Sequence, residues 1–279
     1  MRSIEETCSA LMVLGPSARV LAGGTDLIVS LRGAEPKEDV ILLDIGTIPG
    51  LGEIREEERA LVIGSLASFA QIALSPLVRQ LASPLAGAAA RMGNPQVRNR
   101  ATIGGNICNA SPCADSVPAL IALDARLHFV STEGEHLLPV EETIDGPYST
   151  TVPHDALLTD IVIPKLPAGA LTSYVRLARR QAAAKARMAV AVVLVPDEKG
   201  NLVDVRIGCG SVTPRPHRMR KAEGRLLGSV PTDERLAASA TDVAAEMIQE
   251  TGIRWSTEYK EPAVKALTRR ALREALGWD

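Results

Sequence analysis

Residues 98–120, RNRATIGGNICNASPCADSVPAL, constrain the fold more than any other stretch of the chain. The adjacent glycines Gly104 and Gly105 remove side chains where a backbone must turn or another group must come close. Thr102 and Ile103 before them read as the end of a strand, and Asn106 after them offers both donors and acceptors. Successive glycine N–H groups suit an anion-binding nest. Ser111-Pro112 and then Asp115 return a hydroxyl and a carboxylate to the same neighbourhood, where they suit a phosphate and a ribose or ribityl hydroxyl. Taken alone, the segment is equally well explained by a glycine β-bulge followed by a capped helix.

A second glycine pair shifts the balance. In Val20-Leu21-Ala22-Gly23-Gly24-Thr25-Asp26-Leu27-Ile28 a short apolar run ends in Ala-Gly-Gly, with Thr25 and Asp26 where a helix would begin. That order is strand, phosphate turn, N-cap. It matches neither G-x-G-x-x-G nor G-x-x-x-x-G-K-[ST], so neither a Rossmann fingerprint nor a P-loop applies.

AGGTDL followed by RNxATIGGNICNASPxADxxPAL resembles the FAD-binding (medium) subunits of the molybdenum hydroxylases, the group that includes the xanthine and carbon monoxide dehydrogenases. The resemblance extends from about residue 4 to residue 277, through the Gly/Pro-rich run Gly208–Pro216, Arg254 to Lys260, and Arg269-Arg270-Ala271-Leu272. It implies an α+β fold: a FAD-binding domain of PCMH/VAO type over residues 1–166, made of two α+β subdomains that clamp an extended FAD. A C-terminal α+β domain of the CO dehydrogenase flavoprotein type follows over residues 167–279. It also implies FAD contacts at Ala22, Gly23, Gly24, Thr25, Asp26 and Leu27, at Ala101, Thr102, Ile103, Gly104, Gly105, Asn106, Cys108, Ser111 and Asp115, and at Leu158. The FAD is expected to be non-covalent, because Thr25 stands where flavoproteins of the wider fold that attach it covalently often carry histidine. Molybdopterin and [2Fe–2S] clusters are expected on a large and a small partner subunit, with electrons leaving this chain for NAD⁺ or another acceptor.

The sequence departs from the family in two places. Members usually begin with an additional strand before the first helix, and they commonly carry a Lys/Arg-rich turn and an acidic residue near the flavin. Here Arg176, Arg179, Arg180 and Lys185 surround Gln181-Ala182-Ala183-Ala184, so no catalytic or flavin-shielding residue is carried over.

The composition agrees with a soluble globular protein: 279 residues, net charge −2, 46% hydrophobic and 23% charged. That charge argues against nucleic acid or anionic membrane as main partners. No apolar run approaches ~18 residues and no signal peptide opens the chain, which places it in the cytoplasm. Cys8, Cys108, Cys113 and Cys209 contain no C-x-x-C, so they read as free thiols and no cluster is expected here. His128, His136, His154 and His217 read as scattered, and no acid/base dyad is visible. Two other readings are a free-standing reductase of the same flavin-binding fold and a scaffold subunit that has lost its flavin.

Along the chain the pattern predicts a helix over Ser3 to Leu14, another from Leu27 to Leu31, and a buried strand over Val40 to Asp44. A charged hairpin over Glu53 to Ile63 precedes a helical run from Ser65 to Ala90, with Ser68 as an N-cap and Pro76 opening a new segment. Ala125 to Val130 and Thr159 to Pro164 read as strands of one sheet. Pro164 to Gly169 reads as a linker. Strands over Leu171 to Arg180, Met188 to Val195 and Leu202 to Ile207 then lead to two helices, Thr232 to Glu250 and Thr257 to Leu276.

Overall fold

The structure, a computed structural model, describes residues 1–33, 40–180 and 183–278. Ser3 caps the first helix, Ile4–Leu14, by accepting from the Glu6 N–H. Strand β1 (Ala18–Leu21) pairs in parallel with β2 (Ile41–Asp44), in the register Ala18↔Ile41 to Leu21↔Asp44. The helix Leu27–Gly33 lies between them in sequence. Leu11, Ala18 and Leu43 form one small core, and Cys8, Ile45, Ile48, Leu51 and Leu157 form another beside it. The expectation of a buried strand at Val40 to Asp44 is corrected: only Leu43 of β2 is buried, and Val40, Ile41 and Leu42 are exposed. A two-stranded sheet has too few neighbours to cover both faces of such a run.

The second unit is a five-stranded antiparallel sheet. It uses β3 (Ile54–Glu56), β4 (Ala60–Gly64), β5 (Arg126–Ser131) and β6 (Gly134–Pro139). The short hairpin β7 (Ile144–Gly146) and β8 (Ser149–Thr150) stands apart, and β9 (Leu157–Pro164) returns to give the order β3-β4-β9-β5-β6. Leu61 opposite Ile163 and Ile63 opposite Ile161 are all fully buried at its centre. The expected helical run over Ser65 to Ala90 is three helices, Phe69–Leu74, Pro76–Leu81 and Ser83–Arg91. Pro76 is the first residue of its helix and Pro84 the second of the next; in a first turn the missing proline N–H has no helical acceptor to lose, whereas in a helix interior it would break the run. Ser68 does act as an N-cap, in a capping box with Gln71.

The third unit is a meander of β10 (Leu171–Ala178), β11 (Ala186–Pro196) and β12 (Leu202–Gly210), covered by the helices Asp233–Thr251 and Thr257–Leu276. Strand β11 is buried on both faces. Met188, Val190, Val192 and Leu194 join the core under the two long helices. Ala189, Ala191, Val193 and Val195 join the core of the second unit. The helix Ser116–Ala122 packs on this second face so closely that a Cβ on Gly208 would lie 2.2 Å from the Pro118 carbonyl oxygen. No helix among the described residues is long and apolar enough to cross a membrane.

Candidate functional site

The two glycine motifs meet. Gly23 lies directly against residue 100, and a Cβ there would sit 2.0 Å from the Arg100 carbonyl oxygen. Asn94 accepts from the Val97 N–H at 2.8 Å and caps the helix Pro95–Arg100, which delivers Ala101 and Thr102 to this junction. Between the motifs opens a cavity of about 830 Å³, a size suited to a dinucleotide-like ligand. Every expected site residue lines it except Ile103.

Ile103 is corrected: it is fully buried and its side chain belongs to the core of the second unit. Thr102 and Ile103 do not end a strand. Thr102 caps the helix Ile103–Cys108, its hydroxyl accepting from the Gly105 N–H at 3.1 Å. The nest expected at Gly104-Gly105 is corrected too, because these amides already have protein acceptors. Gly104 N–H donates to the Ser65 carbonyl at 2.8 Å, Ile103 N–H to that of Ala67 and Asn106 N–H to that of Thr102. Gly104 makes room for Ser65, whose Cβ would lie 2.7 Å from an added methyl.

The open amides belong to the other loop. Gly24 takes φ +74°, a conformation that favours glycine, and turns the chain out of β1. The Ile28 N–H closes on the Gly24 carbonyl at 3.1 Å, and among the described residues no protein acceptor meets the N–H groups of Gly23, Gly24, Thr25, Asp26 or Leu27. Ser65 Oγ, in the wall of the same cavity, is buried with no partner among the described residues. Both features are sites for a polar ligand.

Asp115 stands at the seam with the third unit and is 5% exposed. Its Oδ1 accepts from the Tyr174 phenol at 2.9 Å and its Oδ2 from Arg176 Nη1 at 3.2 Å, both residues of β10. Burial raises the Asp115 carboxyl above its ordinary value, with Arg176 pulling it down in part, and burial pushes the Tyr174 phenol far up. The carboxylate expected at a ligand hydroxyl is therefore engaged by the protein. Asn106 is engaged as well, its Oδ1 accepting from the Ser116 hydroxyl at 2.7 Å. Ser111 Oγ accepts from the Cys113 N–H, and Cys108 is exposed on the cavity wall.

Two matches decide the family. Residues 1–166 match the FAD binding domain in molybdopterin dehydrogenase, and residues 173–275 match the CO dehydrogenase flavoprotein C-terminal domain. The chain belongs to this family of FAD-binding subunits. One relative is the carbon monoxide dehydrogenase medium chain of Hydrogenophaga pseudoflava, 32% identical over 98% of this chain and 94% of the relative. Another is the nicotine 6-hydroxylase medium subunit of Paenarthrobacter nicotinovorans, 30% identical over 98% and 94%. The solved carbon monoxide dehydrogenase of Hydrogenophaga pseudoflava superimposes with a TM-score of 0.91, covering 99% of this chain and 96% of that one. As a family member the chain is an oxidoreductase subunit that binds FAD, with an α+β fold.

Sequence reasoning missed several wall residues of this FAD-binding domain. Tyr148 and His154 line the cavity, as do Ala183, Ala184 and Lys185 from the third unit, whereas Gln181 and Ala182 lie outside the described residues. Met92, Gly93 and Asn94, which precede the central motif in sequence, line it too. Away from the cavity, folding brings together what looked scattered: His217 Nε2 lies 2.6 Å from Glu250, and its Nδ1 is 3.7 Å from Glu246.

Proposed function

We propose that this chain is the electron relay of a heteromeric molybdenum hydroxylase. It takes electrons from [2Fe–2S] clusters of a small partner subunit, which draws them from a molybdenum–pterin large subunit, and passes them to NAD⁺ or another acceptor. The observation that carries the reading is the cavity at the junction of the two glycine motifs, with a run of unpartnered amides on one wall. Those of Gly23 to Leu27 are the donors for a pyrophosphate, and the Ser65 hydroxyl is a further polar contact. FAD, when bound, supplies a centre that exchanges both single electrons and hydrides. The protein contributes binding, orientation and a partly apolar wall. Leu66, Val152 and Leu158 supply apolar surface to that wall.

The other expected contacts, Ala22, Thr25, Asp26, Ala101, Thr102, Gly105 and Cys108, are placed along the same ligand. The boundary between the two domains lies at residues 166/167. The complex is placed in the cytoplasm, in keeping with four unpaired cysteines. Relatives are named for carbon monoxide and for nicotine, so substrate choice belongs to the partner.

To test the relay, the 279-residue chain is expressed without partners, reconstituted with FAD, and assayed for NADH-to-dye reduction and for oxidation of carbon monoxide, aldehydes and purines. Dye reduction without substrate oxidation agrees with it. Substrate oxidation by the metal-free chain would make it a free-standing enzyme instead.

A further inference from the structure

Tyr148 sits at the tip of the β7–β8 hairpin. Gly146 pairs with Ser149, so Pro147 and Tyr148 are the two central residues of the turn. Proline fixes its own φ near −65°, and Tyr148 follows at φ +59°. A turn of that pattern is type II, whose third position calls for glycine or asparagine. A tyrosine there carries backbone strain that a glycine would relieve. The strained tip is also fastened to the central motif. Tyr148 N–H donates to the Ala110 carbonyl at 2.8 Å, and Ala110 itself has φ +45°.

This strained conformation holds a ring at the cavity. Tyr148 lines the wall, is 66% exposed, and its phenol has no hydrogen-bond partner among the described residues. The chain has only two Trp, three Tyr and two Phe, and Tyr148 is the one among the described lining residues. A large ring with no core to fill, kept in a backbone conformation that opposes it, has its use outside the folded chain itself.

We propose that the Tyr148 ring stacks on an aromatic ring of the bound FAD and closes the mouth of the cavity over it. This rests on the FAD-binding reading above. Offset stacking between a phenol and a conjugated ring needs no hydrogen bond to the protein, which agrees with the unpartnered hydroxyl. Arg215 Nη2 also lies 3.1 Å from Asp145 Oδ1 in β7, on the solvent-exposed surface of the hairpin. The ring is therefore presented from a tip held by its main-chain bond to Ala110.

The test uses the full chain and three variants, Tyr148→Gly, Tyr148→Leu and Tyr148→Phe. Each is titrated with FAD, FMN and ADP, and melted without ligand. Tyr148→Gly should melt no lower than wild type, since it relieves the positive φ, yet bind FAD about tenfold more weakly. Tyr148→Leu keeps the strain without the ring and should lose the same affinity, while Tyr148→Phe should keep it. If the partner is the isoalloxazine, FMN binding falls with FAD binding and the emission of bound flavin rises, because a stacked phenol no longer quenches it. If the partner is the adenine, ADP binding falls instead and emission is unchanged. Wild-type FAD affinity in both Tyr148→Gly and Tyr148→Leu overturns the inference, as does a Phe variant as weak as Leu. A wild-type chain that fails to bind FAD overturns the FAD reading and this inference with it.

Discussion

The phenol of Tyr174 donates to Asp115 at 2.9 Å and so joins β10 of the C-terminal unit to the segment that follows the central glycine motif. Arg176 reaches the other carboxylate oxygen, and both members of that ion pair are 5% exposed. Asp115→Ala leaves the phenol and the guanidinium buried without their carboxylate, and Arg176 Nη2 already has no partner among the described residues. The expected loss is about 3–5 kcal/mol in urea unfolding, because the guanidinium is left as a buried charge with no counter-charge. Flavin affinity should fall only as far as the domains loosen. Unfolding at the wild-type urea concentration would mean the seam does not depend on this residue.

The same carboxyl gives a pH dependence with a definite sign. Burial is the largest influence on Asp115 and raises it, against Arg176 and Tyr174. A carboxyl with a higher pKa in the folded than in the unfolded state takes up a proton on folding. Its contribution is greatest below the unfolded value of about 4 and declines as pH rises through the folded value. Wild type should therefore lose thermal stability relative to Asp115→Asn as pH is raised above about 4. A relative gain over that range would contradict the assignment.

Gly23 and Gly105 should fail differently. Gly23→Ala drives a methyl into the Arg100 main chain, which cannot give way as a side chain can, so stability should fall by about 1–3 kcal/mol along with flavin retention. Gly105 is exposed on the cavity wall, and its nearest neighbour to an added Cβ is the Thr102 hydroxyl at 2.9 Å. Gly105→Val should abolish flavin retention with far-UV circular dichroism near that of wild type. Full flavin content in the Val variant would remove residue 105 from the binding wall.

Thr25 lies on the cavity and cannot form a histidyl bond to flavin. Acid precipitation of the loaded protein should release all the yellow colour into the supernatant. A yellow pellet would reveal a covalent link and direct attention to Cys108, which is exposed on the same wall.

Much of this site was legible because both glycine motifs are contiguous in sequence, and the fold brings them together as the resemblance implied. What the sequence could not say was which neighbour each glycine serves. Gly104 reads as room for a ligand, but the space is filled by Ser65; the same Gly-Gly pattern at residues 23–24 leaves open amides. The apolar run in β11 was visible, but not that its alternate residues face two different cores, since an all-apolar strand carries no period. Tyr148 was invisible because a Pro-Tyr pair in a loop has no signature; only its backbone angle marks it. Asp115 was legible as important, yet its partners lie 59 and 61 residues away.

A crystal structure of the chain loaded with FAD decides which glycine loop holds the pyrophosphate. The cofactor should lie along the cavity, its pyrophosphate oxygens within hydrogen-bond distance of main-chain N–H groups between Gly23 and Leu27, while the Gly104 and Gly105 amides keep their protein acceptors. A pyrophosphate bound to the Gly104-Gly105 amides, or a cofactor lying outside the cavity, would contradict this placement.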